Sequence, residues 1–220
     1  MDTKPIPSKK PISIIVIGNS DVGKTCLIQK FCTSKYYDNA NINTIGAEMS
    51  QKLLRINKQD VKMNICDTSG QERFANLAPV FYRGAQGVLL VYSISDRKSF
   101  ENIQFWMNQI HDMAPKNIRK VLVASKYDLE GQEASVTSLE GKELARSFGI
   151  KFFETSAKKN IQVKGPFYAI AQEIVDEICG VKEEMERPRA MESTVCETTQ
   201  SKTFLVERLK IPPQKKSGCC

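Results

Sequence analysis

Residues 12–31 read ISIIVIGNSDVGKTCLIQKF. The first six are apolar and mostly β-branched but for Ser13, the pattern of a strand buried on both faces. The last six open a helical segment. Between them GNSDVGKT (18–25) fits G-x-x-x-x-G-K-[ST], so a phosphate-cradling loop joins strand to helix. Gly18 and Gly23 let the backbone wrap a polyphosphate, and the cradle runs through Ser20, Asp21 and Val22 to Cys26, its N–H groups turned inward. The start of the following helix adds partial positive charge. Lys24 reaches the β- and γ-phosphates, and the Thr25 hydroxyl is a ligand for Mg²⁺.

Outward from that loop, the same kind of run recurs. GVLLVY (87–92), KVLVAS (120–125) and KFFE (151–154) are short and continuously apolar or aromatic, as strands of a parallel sheet are. LLRINKQDVKMNIC (53–66) differs, because Val61, Met63 and Ile65 alternate with Lys62 and Asn64. A polar turn at Asn57–Asp60 precedes them, so this is a half-exposed hairpin at a sheet edge. Phe100, Ile103, Trp106, Met107, Ile110 and Met113 share one helical face. Phe167, Ile170, Ala171, Ile174, Val175 and Ile178 make a second stripe. Thr137 and Glu140 form a capping-box pattern, and Gly149 is placed to stop that helix. The expectation is an α/β doubly wound domain over residues 11–179, with a mostly parallel six-stranded sheet, one antiparallel edge hairpin and helices on both faces. Residues 1–10 read as a flexible extension and 180–220, rich in Glu, Lys, Ser, Thr and Pro, as a flexible tail.

Composition sets the outer bounds. The chain has 220 residues, 41% hydrophobic and 26% charged, which suits one α/β domain plus a tail and excludes wholesale disorder. No apolar run approaches a membrane span, and no secretory h-region follows the basic N-terminus. The net charge of +7 points to an anionic partner. Basic residues are not interleaved with aromatics, so a lipid surface is expected and nucleic acid is not. Seven cysteines, an odd number without CxxC pairs, argue against a disulfide framework or a zinc site. Cys26, Cys32, Cys66 and Cys179 read as buried reduced thiols. Trp106 reads as core packing, and His111, with no catalytic constellation about it, as a surface or boundary residue.

Three further motifs complete a site. DTSGQE (67–72) follows the second hairpin strand, where an acid holds magnesium through water; Asp67 is that acid. Gly70 can turn its N–H to a γ-phosphate, and Gln71 is placed to orient an attacking water. Thr44, in NTIG, offers a second hydroxyl to Mg²⁺. SKYD (125–128) and ETSAK (154–158) sit at strand carboxyl ends, beside the crevice of an open sheet. The Asp128 carboxylate can accept from guanine N1–H and the 2-amino group, and the Ala157 N–H can donate to guanine O6. Adenine offers neither match, so the pair favours guanine. Ser125, Lys126, Ser156 and Lys158 complete these two loops.

The chain resembles the Ras superfamily of small GTPases, and most closely the Rab family, over about residues 11–179 and again at its end. IGAEM (45–49), KMNIC (62–66), ERFANL (72–77), FYRGA (81–85) and LVYSIS (90–95) carry the resemblance beside the motifs above. It implies the G domain of a phosphate-loop NTPase that binds GTP or GDP with Mg²⁺ and hydrolyses GTP slowly, Gln71 acting on the water. It implies that Tyr37 packs against guanine and that Lys126 lies along base and ribose. Residues 36–46 and 68–84 would be switch regions that order around the γ-phosphate and relax after hydrolysis. Exchange factor, activating protein and effectors would engage residues 36–49 and 66–84. The terminal KKSGCC implies geranylgeranyl groups on Cys219 and Cys220, with prenylation escort and dissociation-inhibitor proteins as partners. Two chains, aided by Arg208, Lys210, Lys215 and Lys216, would anchor a monomer on the cytoplasmic face of an intracellular membrane, cycling with cytosol in vesicle traffic.

The departures are specific. Ser125 stands where the family has Asn, and one hydroxyl donor for two amide donors would weaken nucleotide binding by roughly 1–3 kcal/mol. Ser69 replaces the usual Ala before Gly70. Met49 and Cys66 replace a Phe and a Trp of the aromatic effector triad, while Phe81 keeps an aromatic. Two functions therefore stay open: a GTP/GDP switch that recruits effectors, or a divergent GTPase-like scaffold with weak nucleotide affinity or poor hydrolysis. An ATP-using kinase is disfavoured by Asp128 and ETSAK.

Overall fold

The computed structural model describes residues 11–36, 47–68, 82–131 and 133–179. In chain order these form β1 (Ile12–Ile17), α1 (Lys24–Thr33), β2 (Ala47–Ile56), β3 (Gln59–Thr68), β4 (Gly87–Ser93), α2 (Arg97–Glu101), α3 (Ile103–Met113), β5 (Arg119–Ser125), α4 (Ser138–Phe148), β6 (Lys151–Glu154) and α5 (Gly165–Cys179). Among the described residues six strands make one sheet in the order β2-β3-β1-β4-β5-β6. Every neighbouring pair is parallel except β2 with β3. The expected mostly parallel sheet with one antiparallel edge hairpin is what the chain builds.

The strand runs are apolar throughout because helices cover both faces. Ile14, Val16, Leu89, Val91, Val121 and Val123 point to one side, where they pack with Leu27, Ile28 and Phe31 of α1 and Phe167, Ile170 and Ile174 of α5. Ile15, Ile17, Val88, Leu90, Tyr92, Leu122 and Ala124 point to the other, against Ile103, Trp106 and Ile110 of α3 and Ala145 of α4. Phe31 and Phe167 stack with ring centroids 3.9 Å apart, joining the two helices of the first layer. At the hairpin Val61, Met63 and Ile65 keep to the first core, while Lys62 is exposed on the uncovered face. That one-sided cover is why its sequence alternates.

Four local expectations are corrected. The turn is narrower than Asn57–Asp60: Gln59 and Asp60 already pair with Ile56 and Arg55. Asn57 and Lys58 alone turn the chain, at φ 49 and 64, a left-handed pair whose twist matches that of the strands. The Phe100–Met113 stripe is carried by two helices that meet at Asn102. Ile178 is 61% exposed, because the last turn of α5 runs past the sheet. Of the thiols, Cys66 is buried, Cys26 and Cys32 are half-buried and Cys179 is exposed. Trp106 lies in the core and His111 on the surface, as read. The Thr137–Glu140 capping box and the left-handed stop at Gly149, φ 64, are both formed. The extension 1–10 and the tail from residue 180 lie outside the described residues.

Candidate nucleotide site

The carboxyl ends of β1, β3, β5 and β6 converge on one edge of the sheet. β1 sits between β3 and β4, so the chain leaves it for β2 and β3 on one side and returns to β4 on the other. A crevice opens at such a reversal. The loop from Gly18 to Gly23 lies there, and both glycines have positive φ, 145 and 90. At Gly18 the need is also steric, since a Cβ would fall on the Val91 carbonyl.

Lys24, the first residue of α1, is buried and folds back over the loop. Its ammonium donates to the Gly18 carbonyl at 3.0 Å and the Asn19 carbonyl at 2.6 Å. Burial pulls its pKa down to about 8, against the pull of the Asp67 and Asp21 carboxylates. A polyphosphate beside it would supply the negative charge that this desolvated cation lacks. Ser20, Asp21 and Val22 complete the loop, Asp21 in the left-handed region at φ 61. Cys26 is half-buried just inside α1.

Thr25 and Asp67 meet across the crevice: the Thr25 hydroxyl donates to Asp67 Oδ2 at 2.6 Å. Asp67 lies within β3, whose end is tied to β1 by the Thr68 hydroxyl donating to the Val16 carbonyl at 2.8 Å. Burial raises the Asp67 pKa, opposed by the Thr25 hydroxyl and Lys24, with Glu48 adding to the rise. Its Oδ1 is buried without a hydrogen-bond partner among the described residues. A hydroxyl and a carboxylate with one oxygen left over are the hard donors of a hydrated magnesium site, so these residues fit that ion. No cluster of three or more His, Cys, Asp or Glu side chains that could hold a metal occurs among the described residues.

The two loops expected to read the base follow β5 and β6 and are tied together. Thr155 N–H donates to the Ala124 carbonyl at 2.7 Å, and Tyr127 N–H to the Thr155 carbonyl at 3.0 Å. Lys126 adopts the left-handed conformation at φ 57. The Ser156 hydroxyl donates to Asp128 Oδ1 at 2.6 Å and is itself oriented by the Lys159 N–H at 2.9 Å. The Asp128 carboxylate is thereby held in a fixed orientation. Ala157 and Lys158 continue this loop, Lys158 exposed. Ser125 is buried, and its hydroxyl lies within hydrogen-bonding reach of the Val22 carbonyl and, at 2.8 Å, of the Tyr92 carbonyl. It therefore links the base loop to the phosphate loop across 103 residues of sequence.

Asn19 was not singled out from the sequence, yet it meets Lys24 through its carbonyl and the Trp106 indole N–H through its side chain, the latter at 3.0 Å. The signal available was the buried indole itself, which needs an acceptor. Tyr37, Thr44, Gly70, Gln71, Cys219 and Cys220 lie outside the described residues.

Fold and site together define a phosphate-loop nucleotide protein of the α/β class. The Ras family model matches residues 13–176. Ras-related protein RABE1d of Arabidopsis thaliana is 36% identical over 209 residues, 95% of this chain and 92% of its own. Ras-related protein RAB1BV of Beta vulgaris is 40% identical over 163 residues, 74% of this chain and 75% of its own. Ras-related protein Rab-13 of Mesocricetus auratus is 41% identical over 162 residues, 74% and 79%. The chain belongs to the Ras family as a Rab-type small GTPase, and by class it is a GTP hydrolase.

Proposed function

We propose that the chain is a membrane-anchored GTP/GDP switch that turns over slowly and recruits effectors in vesicle traffic. The observation that carries the reading is the 2.6 Å contact between Thr25 and Asp67 beside the buried Lys24. Three groups from α1 and β3 thereby converge on one place, an arrangement that suits phosphate and a hard cation. Held by Thr25, Asp67 and Thr44, magnesium would neutralise charge on the terminal phosphates. Lys24 would hold the β- and γ-phosphates, and the loop N–H groups from Ser20 to Cys26 would bind the rest. Asp128, oriented by Ser156, would accept from the guanine edge, with the Ala157 N–H on O6, and Tyr37 and Lys126 flanking base and ribose. Gln71 would orient the attacking water, and Gly70 would sense the γ-phosphate. None of the residues named in these roles is an arginine. An activating protein that supplied one to the transition state would speed turnover by roughly 10³–10⁵.

Among the described residues no helix is long and apolar enough to cross a membrane. Attachment in this reading comes from geranylgeranylated Cys219 and Cys220, handled by escort and dissociation-inhibitor proteins, at the cytoplasmic face of an intracellular membrane. The scaffold alternative rests on Ser125, whose single hydroxyl proton serves one of its two carbonyls at a time. Binding of fluorescent GDP and GTP to wild type and Thr25→Asn, with Mg²⁺ and with EDTA, tests the site. The switch reading expects Mg²⁺ to tighten wild-type binding, and Thr25→Asn to lose most of that gain for GTP. Equal affinities in all arms would contradict it.

A further inference from the structure

The phosphate loop is pinned from outside at three places. Gly18 lies against the Val91 carbonyl of β4. Val22 is reached by the Ser125 hydroxyl of β5. Between them, Asn19 is held by Trp106 of α3, from 87 residues away in sequence. Trp106 is 5% exposed and packs with Ile103 and Ile110 in the second core. For packing alone, Leu or Phe would fill such a position. The indole adds one polar atom, and that atom points at the loop: its Nε1–H donates to Asn19 Oδ1 at 3.0 Å. The main-chain carbonyl of the same Asn19 accepts from Lys24 Nζ at 2.6 Å.

We propose that Trp106 is a positioning residue for the phosphates: its indole N–H holds Asn19, and Asn19 in turn sets the carbonyl that aims Lys24. The inference rests on the nucleotide-site reading above. A cradle already held in its binding shape loses less freedom when a ligand enters, so its ligand leaves more slowly. Trp106 is also the single tryptophan of the chain, so its indole N–H gives one unambiguous signal for the contact.

The full chain, ¹⁵N-labelled and loaded with GDP, is compared with Asn19→Ala, Asn19→Asp, Trp106→Phe and the Trp106→Phe/Asn19→Ala double variant. Two readouts are taken: the indole cross peak, and the release rate of fluorescent GDP. Asn19→Ala should shift the cross peak. Trp106→Phe and Asn19→Ala should each speed release about two- to tenfold, the worth of one hydrogen bond. The double variant should be no faster than the faster single one. Asn19→Asp keeps an acceptor for the indole N–H and should leave the cross peak in its hydrogen-bonded position, unlike Asn19→Ala. Ile110→Val, a packing change on the same helix, should lower the melting temperature without altering release. An unmoved cross peak in Asn19→Ala, or fully additive release rates in the double variant, overturns the proposal. A wild-type chain that holds no GDP would refute the nucleotide reading separately, and the cross peak would then decide the Trp106–Asn19 contact alone.

Discussion

At position 125 the loop proposed to read the base carries a hydroxyl where the family pattern has an Asn carboxamide. Sequence reasoning counts lost donors and expects a loss of roughly 1–3 kcal/mol. The geometry narrows this. The hydroxyl is buried between the Val22 and Tyr92 carbonyls, so the tie between base loop and phosphate loop persists. What the serine lacks is the second donor. Ser125→Asn should therefore slow GDP release by no more than about one hydrogen bond, roughly two- to tenfold. Ser125→Ala should do the reverse and more. It removes the one hydroxyl proton that the buried Val22 and Tyr92 carbonyls share, at a cost of about 1–3 kcal/mol, and should both speed release and lower the melting temperature. Release rates and thermal melts of the three proteins check this. An alanine variant that matches wild type in both would remove Ser125 from the site.

The elements were legible where the chain repeats a simple physical pattern. Three buried strands, β1, β4 and β5, show as continuous apolar runs because each feeds two cores. The KFFE run looks the same but forms the half-exposed edge strand β6. The α4 cap shows because Thr137, Glu140 and Gly149 have the spacing that a helix start and stop require. What was missed depends on neighbours. Nothing local says that Lys58 takes a left-handed conformation, that the chain breaks at Asn102, or that Ile178 outruns the sheet. The α4 cap also does more than close a helix. Glu140 pairs with Arg97 of α2 and accepts from the Thr137 N–H at 2.9 Å. The Arg97 guanidinium first, then the Thr137 backbone and hydroxyl, hold its pKa down to about 2, from 4.5. A depressed carboxylate stabilises the fold above its unfolded value and loses that contribution as pH falls toward the folded one. The window is thus between about 4.5 and about 2. Glu140→Gln should flatten the fall in melting temperature across that window. Thr137→Ala should cost about 1 kcal/mol at neutral pH. The pair is exposed to solvent, so salt should weaken its share. A pH–melting profile of Glu140→Gln that parallels wild type would contradict this role.

At the scale of the molecule, the phosphate loop was readable because its eight residues are contiguous and its glycines answer to a local need. Asp67 and Asp128 were readable because strand carboxyl ends mark the crevice. The ties between these parts were not. Thr25 with Asp67, Ser156 with Asp128 and Trp106 with Asn19 join residues 42, 28 and 87 positions apart, and only the sheet order brings them together. In the proposed function this assembled edge selects guanine through the Asp128 carboxylate. The most direct test of that selection is displacement of fluorescent GDP by GDP, ADP and xanthosine diphosphate from wild type and Asp128→Asn. Wild type should prefer GDP over both competitors. Asp128→Asn should shift toward xanthosine diphosphate, whose C2 carbonyl suits an amide donor. A variant that keeps the full wild-type preference for GDP would contradict selection through Asp128.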